Sequence, residues 1–164
     1  TSEANLDAVA EDIAGNADGV TVTADDLNAI DGVDGATADN LDEYIDALQN
    51  GTYADPANPT AEEIQAAIDT VNTSEANLDA VAEDIAGNAD GVTVTADDLN
   101  AIDGVDGATA DNLDEYIEAL QNGTYADPAN PTAEEIQTAI DTVNTSEANL
   151  DAVAEDIAGN ADGV

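Results

Sequence analysis

The twenty residues TSEANLDAVAEDIAGNADGV occur three times, beginning at Thr1, Thr73 and Thr145. The chain is a 72-residue sequence read twice, 1–72 and 73–144, followed at 145–164 by the opening of a third copy. Between the two full copies only Asp46/Glu118 and Ala66/Thr138 differ. A period of this length constrains the fold more than any short motif, because each copy must fold by the same rules and offer the same surfaces to its neighbours. The pattern divides equally well into 21–92 and 93–164, with 1–20 as the remainder of another copy. Periodicity alone does not choose between the frames.

Within each copy the apolar residues recur at helical spacing. Leu6, Val9, Ala10 and Ile13 stand at i, i+3, i+4 and i+7, which predicts a first helix over about 2–14, with Gly15 as a left-handed stop. Thr23, followed three residues later by Asp26, predicts a capped second helix, with Val22 and Leu27 at staple spacing. A third helix is expected from a cap at Thr37 to a stop at Gly51, its stripe formed by Leu41, Tyr44, Ile45 and Leu48. Thr60 and Glu63 form a capping box for a fourth, striped by Ile64, Ala67, Ile68 and Val71. The fold class is therefore all-α, with about four short amphipathic helices per repeat.

The junction between copies has two readings. DTVNTSEANLDAV contains neither Gly nor Pro, so helix four can run into the next helix one, giving about 26 residues and some 39 Å at the α-helical rise. Alternatively the helix breaks at Asn72 and Thr73, and Ser74 recaps it. Both leave a short connection. The apolar set contains no Phe, Trp or Met, so a single copy is small and thinly cored. Contact with neighbouring repeats is then expected to supply part of its stability, and the copies are expected to stack into an elongated, solenoid-like rod.

Charge narrows the function. The chain carries 39 Asp and Glu and no Lys, Arg or His, for a formal charge of −39. Such a surface repels nucleic acid and anionic membranes. Acidity with few aromatics is also a mark of disorder, but 43% apolar residues at ordered spacing point to a folded chain. Cysteine is absent, so disulfides and thiolate metal sites are excluded. The longest apolar run spans only a few residues, which excludes a membrane-inserted helix. No enzyme is expected: the side chains that usually carry catalysis are missing, and a two-carboxylate glycosidase has little support among so many acids. The acids read as a solvated face, with Glu11, Asp12 and Asp31 near helix C-termini in need of cations to relieve the helix dipole.

Cation binding is the remaining chemical candidate. In AGNADGVTVTAD, residues 14–25, the residues Asn16, Asp18, Gly19 and Asp25 take the third, fifth, sixth and twelfth places of a calcium-loop pattern. Asn88, Asp90 and Asp97 are their counterparts in the second copy. Ala14 stands where the first carboxylate belongs, and Asp25 replaces the usual bidentate Glu. No cofactor is required; a specific Ca²⁺ site is one reading of the pattern, and loose association of Ca²⁺ or Mg²⁺ with the acidic surface is the other. Asn50-Gly-Thr and Asn72-Thr-Ser fit the glycosylation sequon. Tyr44 belongs to a helix stripe, whereas Tyr53 is expected either to cover helix ends or to form a surface contact.

The stretch VTADDLNAIDGVDGATADNLDEYIDALQNGTYADPANPTAEEIQAAIDTVN resembles the Ala- and Asp-rich tandem repeats of very large bacterial surface and secreted proteins, including repeat-containing adhesins. The resemblance covers the whole chain as a style of repeat and brings no catalytic signature. It implies an extracellular or cell-surface stalk or spacer whose partners are its own neighbouring repeats, with any host or surface ligand bound elsewhere. A calcium-binding or protein-binding helical module is the alternative. The glycine-rich calcium nonapeptides that often accompany such proteins do not occur here.

Overall fold

The structure, a computed structural model, describes residues 2–15, 22–87 and 94–161. Among the described residues the regular structure is entirely helical. In chain order the elements are α1 (Ser2–Ile13), α2 (Ala24–Asn28), α3 (Leu41–Asn50), α4 (Ala61–Ile85), α5 (Ala96–Asn100), a 3₁₀ turn (Ala110–Asn112), α6 (Leu113–Gln121) and α7 (Ala133–Ala161). The chain divides into two compact units, Thr1–Thr73 and Ser74–Val164.

The first unit is organised by its caps and stripes. Thr23 accepts the Asp26 N–H while the Asp26 carboxylate accepts the Thr23 N–H, a reciprocal box that starts the five-residue α2. So short a helix needs such closure, since nucleation costs more than one turn of hydrogen bonds returns. Thr60 and Glu63 repeat the box at the start of α4. Val9, Val22, Leu27, Ile30, Tyr44, Leu48, Ile64 and Ile68 are all within 2% of complete burial and form one core. Burying a Leu- or Ile-sized side chain stabilises a fold by about 1.5–3 kcal/mol. The second unit builds the same core from Val81, Val94, Leu99, Ile102, Tyr116, Leu120, Ile136 and Ile140.

Two expectations need correction. Helix three does not start at Thr37: α3 begins at Leu41 after Asn40, and neither Asn40 nor its counterpart Asn112 makes a side-chain cap. The Thr37 hydroxyl instead meets the Tyr44 hydroxyl at 3.4 Å, so the threonine is drawn to the phenol oxygen rather than to a helix end. The stripe of α1 is also wider than expected. Val9 is fully buried and Leu6 and Ile13 pack half-buried against the same core, but the face they share also includes Ser2, Asn5 and Asp12.

The polar members of that face hold loop backbone. Ser2 Oγ accepts the Asp31 N–H at 2.9 Å, Asn5 Nδ2 donates to the Asp26 carbonyl at 2.8 Å, and Asp12 Oδ2 accepts the Val22 N–H at 3.3 Å. Asp12 is 2% exposed, so it does not belong to the solvated face. An aspartate there reads as surface by composition, but a buried backbone N–H demands an acceptor and this side chain supplies it.

At the junction the helix is unbroken. Helix α4 runs from Ala61 to Ile85, so no cap interrupts it at Asn72 or Thr73. Ser74 is 5% exposed, and its hydroxyl accepts the Asp103 N–H at 2.9 Å. Thr73 donates its hydroxyl proton back to the Asp69 carbonyl, the usual way a threonine settles inside a helix. Helix α4 therefore gives Ile64, Ile68 and Val71 to the first core and Val81 to the second.

Candidate functional site

The calcium-loop residues are described only in part. Asn16, Asp18, Asn88 and Asp90 lie outside the described residues. Asp25 and Asp97 sit in the first turns of α2 and α5, both exposed, where their backbone carbonyls accept the N–H of Ala29 and Ala101. Acids at that position favour the helix dipole whether or not an ion is present. Among the described residues no three metal-capable side chains come together. Gly15 does adopt the left-handed conformation expected after helix one, with φ of +75°.

A concave feature lies beside Tyr53. The Tyr53 hydroxyl donates to the Leu48 carbonyl, so the ring closes over the last turn of α3. A side chain at Gly51 would put its Cβ 2.7 Å from that hydroxyl oxygen, which explains the glycine as room for the ring. The cleft, about 290 Å³, is lined by Ala47, Thr52, Tyr53, Glu63, Ala66 and Thr70. Its counterpart in the second unit is lined by Tyr125, Glu135, Thr138 and Thr142. One of the two positions that differ between the repeats, Ala66/Thr138, therefore faces this cleft.

The chemistry of the cleft is that of a cap. The Glu63 carboxylate accepts the backbone N–H of Ala54 and of Thr60 and the Thr60 hydroxyl, all at 2.8–2.9 Å. These bonds, led by the one from Ala54, hold its pKa below the ordinary value of 4.5. Glu135 is lowered in the same way, first by Thr132 and then by Ala126. Burial raises the Tyr53 hydroxyl, and the nearby Glu63 charge adds to the shift. An acid held ionised by three donors, beside a phenol held protonated, is poorly suited to exchange protons near neutrality.

Tyr44 and Asn72 form a polar set at the edge of the first core. The Tyr44 hydroxyl donates to Asn72 Oδ1, and Asn72 Nδ2 donates to the Gly35 carbonyl at 3.1 Å. Tyr116, Asn144 and Gly107 repeat the arrangement. The Asn72 sequon is thus a helical residue whose amide is already engaged at both ends. Asn50, in the other sequon, is exposed and turns its amide onto the Asp46 carbonyl. No helix among the described residues is long and apolar enough to cross a membrane. Comparison of the chain with known protein families, with curated proteins and with solved structures returns no match.

Proposed function

We propose that this chain is a stalk or spacer segment of an extracellular or cell-surface, adhesin-like protein, with structure rather than chemistry as its task. The observation that carries the reading is the near-identity of the two 72-residue copies, joined through a helix without a break. Duplicated, near-identical units suit a mechanical role better than a single active site. A spacer gains by repetition, because each added copy contributes the same increment of length. The differences between copies fit this reading, since Asp46/Glu118 and Ala66/Thr138 leave both cores unchanged.

Charge suits the same role. Identical modules placed close together on one chain are prone to associate wrongly, and uniform negative charge opposes such contacts. Cations in the surrounding medium then screen the repulsion within each unit and stiffen the segment. The neighbouring repeats are the partners this reading requires.

Small-angle X-ray scattering on chains of two, three and four repeats tests the proposal. A compact globule of 164 residues has a radius of gyration of ~15 Å. A spacer of two repeats is expected to exceed roughly 20 Å, with near-linear growth as copies are added. Growth on the compact-sphere curve, or independently tumbling units, would remove the basis for a spacer.

A further inference from the structure

Asparagine precedes glycine at Asn50–Gly51 and Asn122–Gly123 and nowhere else in the chain. The fold requires the glycine, because a Cβ at 51 would stand 2.7 Å from the Tyr53 hydroxyl, and one at 123 the same distance from the Tyr125 hydroxyl. Closing a tyrosine over a helix end thus leaves each repeat with a residue pair open to attack on its own amide. Glycine lacks the Cβ that would otherwise hinder its main-chain nitrogen as it approaches the preceding side chain.

The surroundings leave room for that approach. Asn50 is the last residue of α3 and Asn122 directly follows α6, and both are exposed together with the glycine and threonine after them. The Asn50 amide is held by the bond from Nδ2 to the Asp46 carbonyl at 2.9 Å, and the Asn122 amide by the bond to the Glu118 carbonyl at 2.8 Å. An exposed bond in the last turn of a helix is among the first to open. Other asparagines are held more firmly. Asn28 is fastened at both ends of its amide to the Ala36 backbone, and Asn72 lies within α4 between Tyr44 and Gly35.

We infer that Asn50 and Asn122 are sites of spontaneous modification, one per repeat, at which the amide becomes a carboxylate through a cyclic imide. The Gly51 nitrogen gives its proton to hydroxide and attacks Asn50 Cγ. The new N–Cγ bond closes a five-membered ring as the Cγ–Nδ2 bond breaks, and Nδ2 leaves, protonated, as ammonia. Water then opens the ring at either carbonyl, giving aspartate where the new bond breaks and isoaspartate where the original main-chain bond breaks. One water is consumed and one ammonia released, with no change of oxidation state. Gly123 and Asn122 follow the same course.

The position of the product gives the reaction a structural effect. The carboxylate has no donor for the Asp46 carbonyl and adds negative charge at the C-terminal end of α3, where the helix dipole opposes it. No basic residue offsets that charge. Isoaspartate also inserts a methylene into the main chain between Leu48 and Tyr53, whose hydroxyl donates to the Leu48 carbonyl. Modification therefore loosens the end of α3 and the ring closed over it. This inference stands apart from the spacer reading, because it uses only the chemistry of one residue pair and its local structure.

The test holds the folded full-length chain in warm, mildly alkaline buffer, with the same chain unfolded in urea as reference. Each amide is followed by mass spectrometry after cleavage at glutamates, since the chain offers trypsin no site. The Asp46/Glu118 difference separates the copies, placing Asn50 in fragment 44–62 and Asn122 in fragment 119–134. In the folded chain both are expected to convert within tenfold of their rates in urea and at least tenfold faster than Asn28 or Asn72, with isoaspartate among the products. Conversion of either more than tenfold slower than in urea overturns the inference, as does conversion of Asn28 or Asn72 at a comparable rate. A product free of isoaspartate also overturns it, because the ring is then not an intermediate. The double variant Asn50→Asp, Asn122→Asp is expected to unfold at a lower urea midpoint than the unmodified chain, and an unchanged midpoint would overturn the loosening of α3.

Discussion

Helix α1 and residues 146–157 of α7 share one sequence and differ only in surroundings. In α1, Val9 is 1% exposed and Asp12 2%; in α7, Val153 is 56% exposed and Asp156 lies open. Burial here is thus set by the downstream segment of the chain, not by the helix itself. The stripe and the polar anchors make a face that can be covered, and the next stretch of about 50 residues decides whether it is. The middle copy, at the end of α4, sides with α1: Val81 is fully buried, and its cover is again the segment downstream of it.

The strongest way to break this comparison is to charge the same valine in different copies. Val81→Asp places an uncompensated carboxylate in a closed core and is expected to destabilise the second unit by about 3–5 kcal/mol. Val153→Asp is expected to change stability by no more than about 0.5 kcal/mol. Urea melts at low protein concentration, followed by circular dichroism, measure both. Equal losses would mean that residues 146–157 are covered in solution as α1 is.

Next in size is the aspartate. Asp12→Ala leaves the buried Val22 N–H without its acceptor and is expected to cost about 1–3 kcal/mol, while Asp156→Ala is expected to be nearly silent. In the second unit Asp84 is just as buried, yet its Oδ2 has no hydrogen-bond partner among the described residues, so Asp84→Asn is expected to be better tolerated than Asp12→Asn. The same melts check this ordering.

A smaller effect separates the caps from the rest of the acidic surface. Thr60→Ala is expected to cost about 1 kcal/mol at pH 7. The folded pKa of Glu63 lies below its ordinary 4.5, so its capping contribution is complete above that pH and fades as the pH falls through the folded value. The gap between the wild type and Thr60→Ala should therefore narrow as the pH falls through the folded value of Glu63, below 4.5. A gap that widened on acidification would contradict the assignment of Glu63 as an ionised cap.

The smallest effect concerns ions. Melting temperature is expected to rise with NaCl as screening reduces self-repulsion, and millimolar Ca²⁺ at matched ionic strength is expected to add nothing further. A calcium increment lost in the Asp18→Asn, Asp90→Asn double variant would instead assign those residues to an ion site.

The features legible in the sequence are local ones. The boxes at Thr23–Asp26 and Thr60–Glu63 and the stripes of Tyr44–Leu48 and Ile64–Val71 depend on residues three or four apart, where helical geometry alone sets the contact. The rest concerns side chains whose partners are distant in the chain. Asp12 reaches Val22, Ser74 reaches Asp103 and Asn72 reaches Gly35, and no spacing rule pairs them. Thr37 departs from expectation for a related reason, since a cap and a contact with the Tyr44 hydroxyl use the same atom. The cleft beside Tyr53 is legible as a ring over a helix end, but the role of Glu63 as a shared acceptor for Ala54 and Thr60 requires the loop to be in place.

Absence of cysteine makes the central comparison directly measurable, because a single introduced thiol reports one copy of an otherwise indistinguishable sequence. Variants Val9→Cys, Val81→Cys and Val153→Cys, each with one thiol, would be labelled with a disulfide reagent under native conditions. The account predicts that the thiol at 153 reacts at the rate of a solvent-exposed cysteine. Those at 9 and 81 are predicted to react at least a hundredfold more slowly, limited by opening of their units. Three similar rates would contradict the claim that the segment downstream of each helix decides its burial.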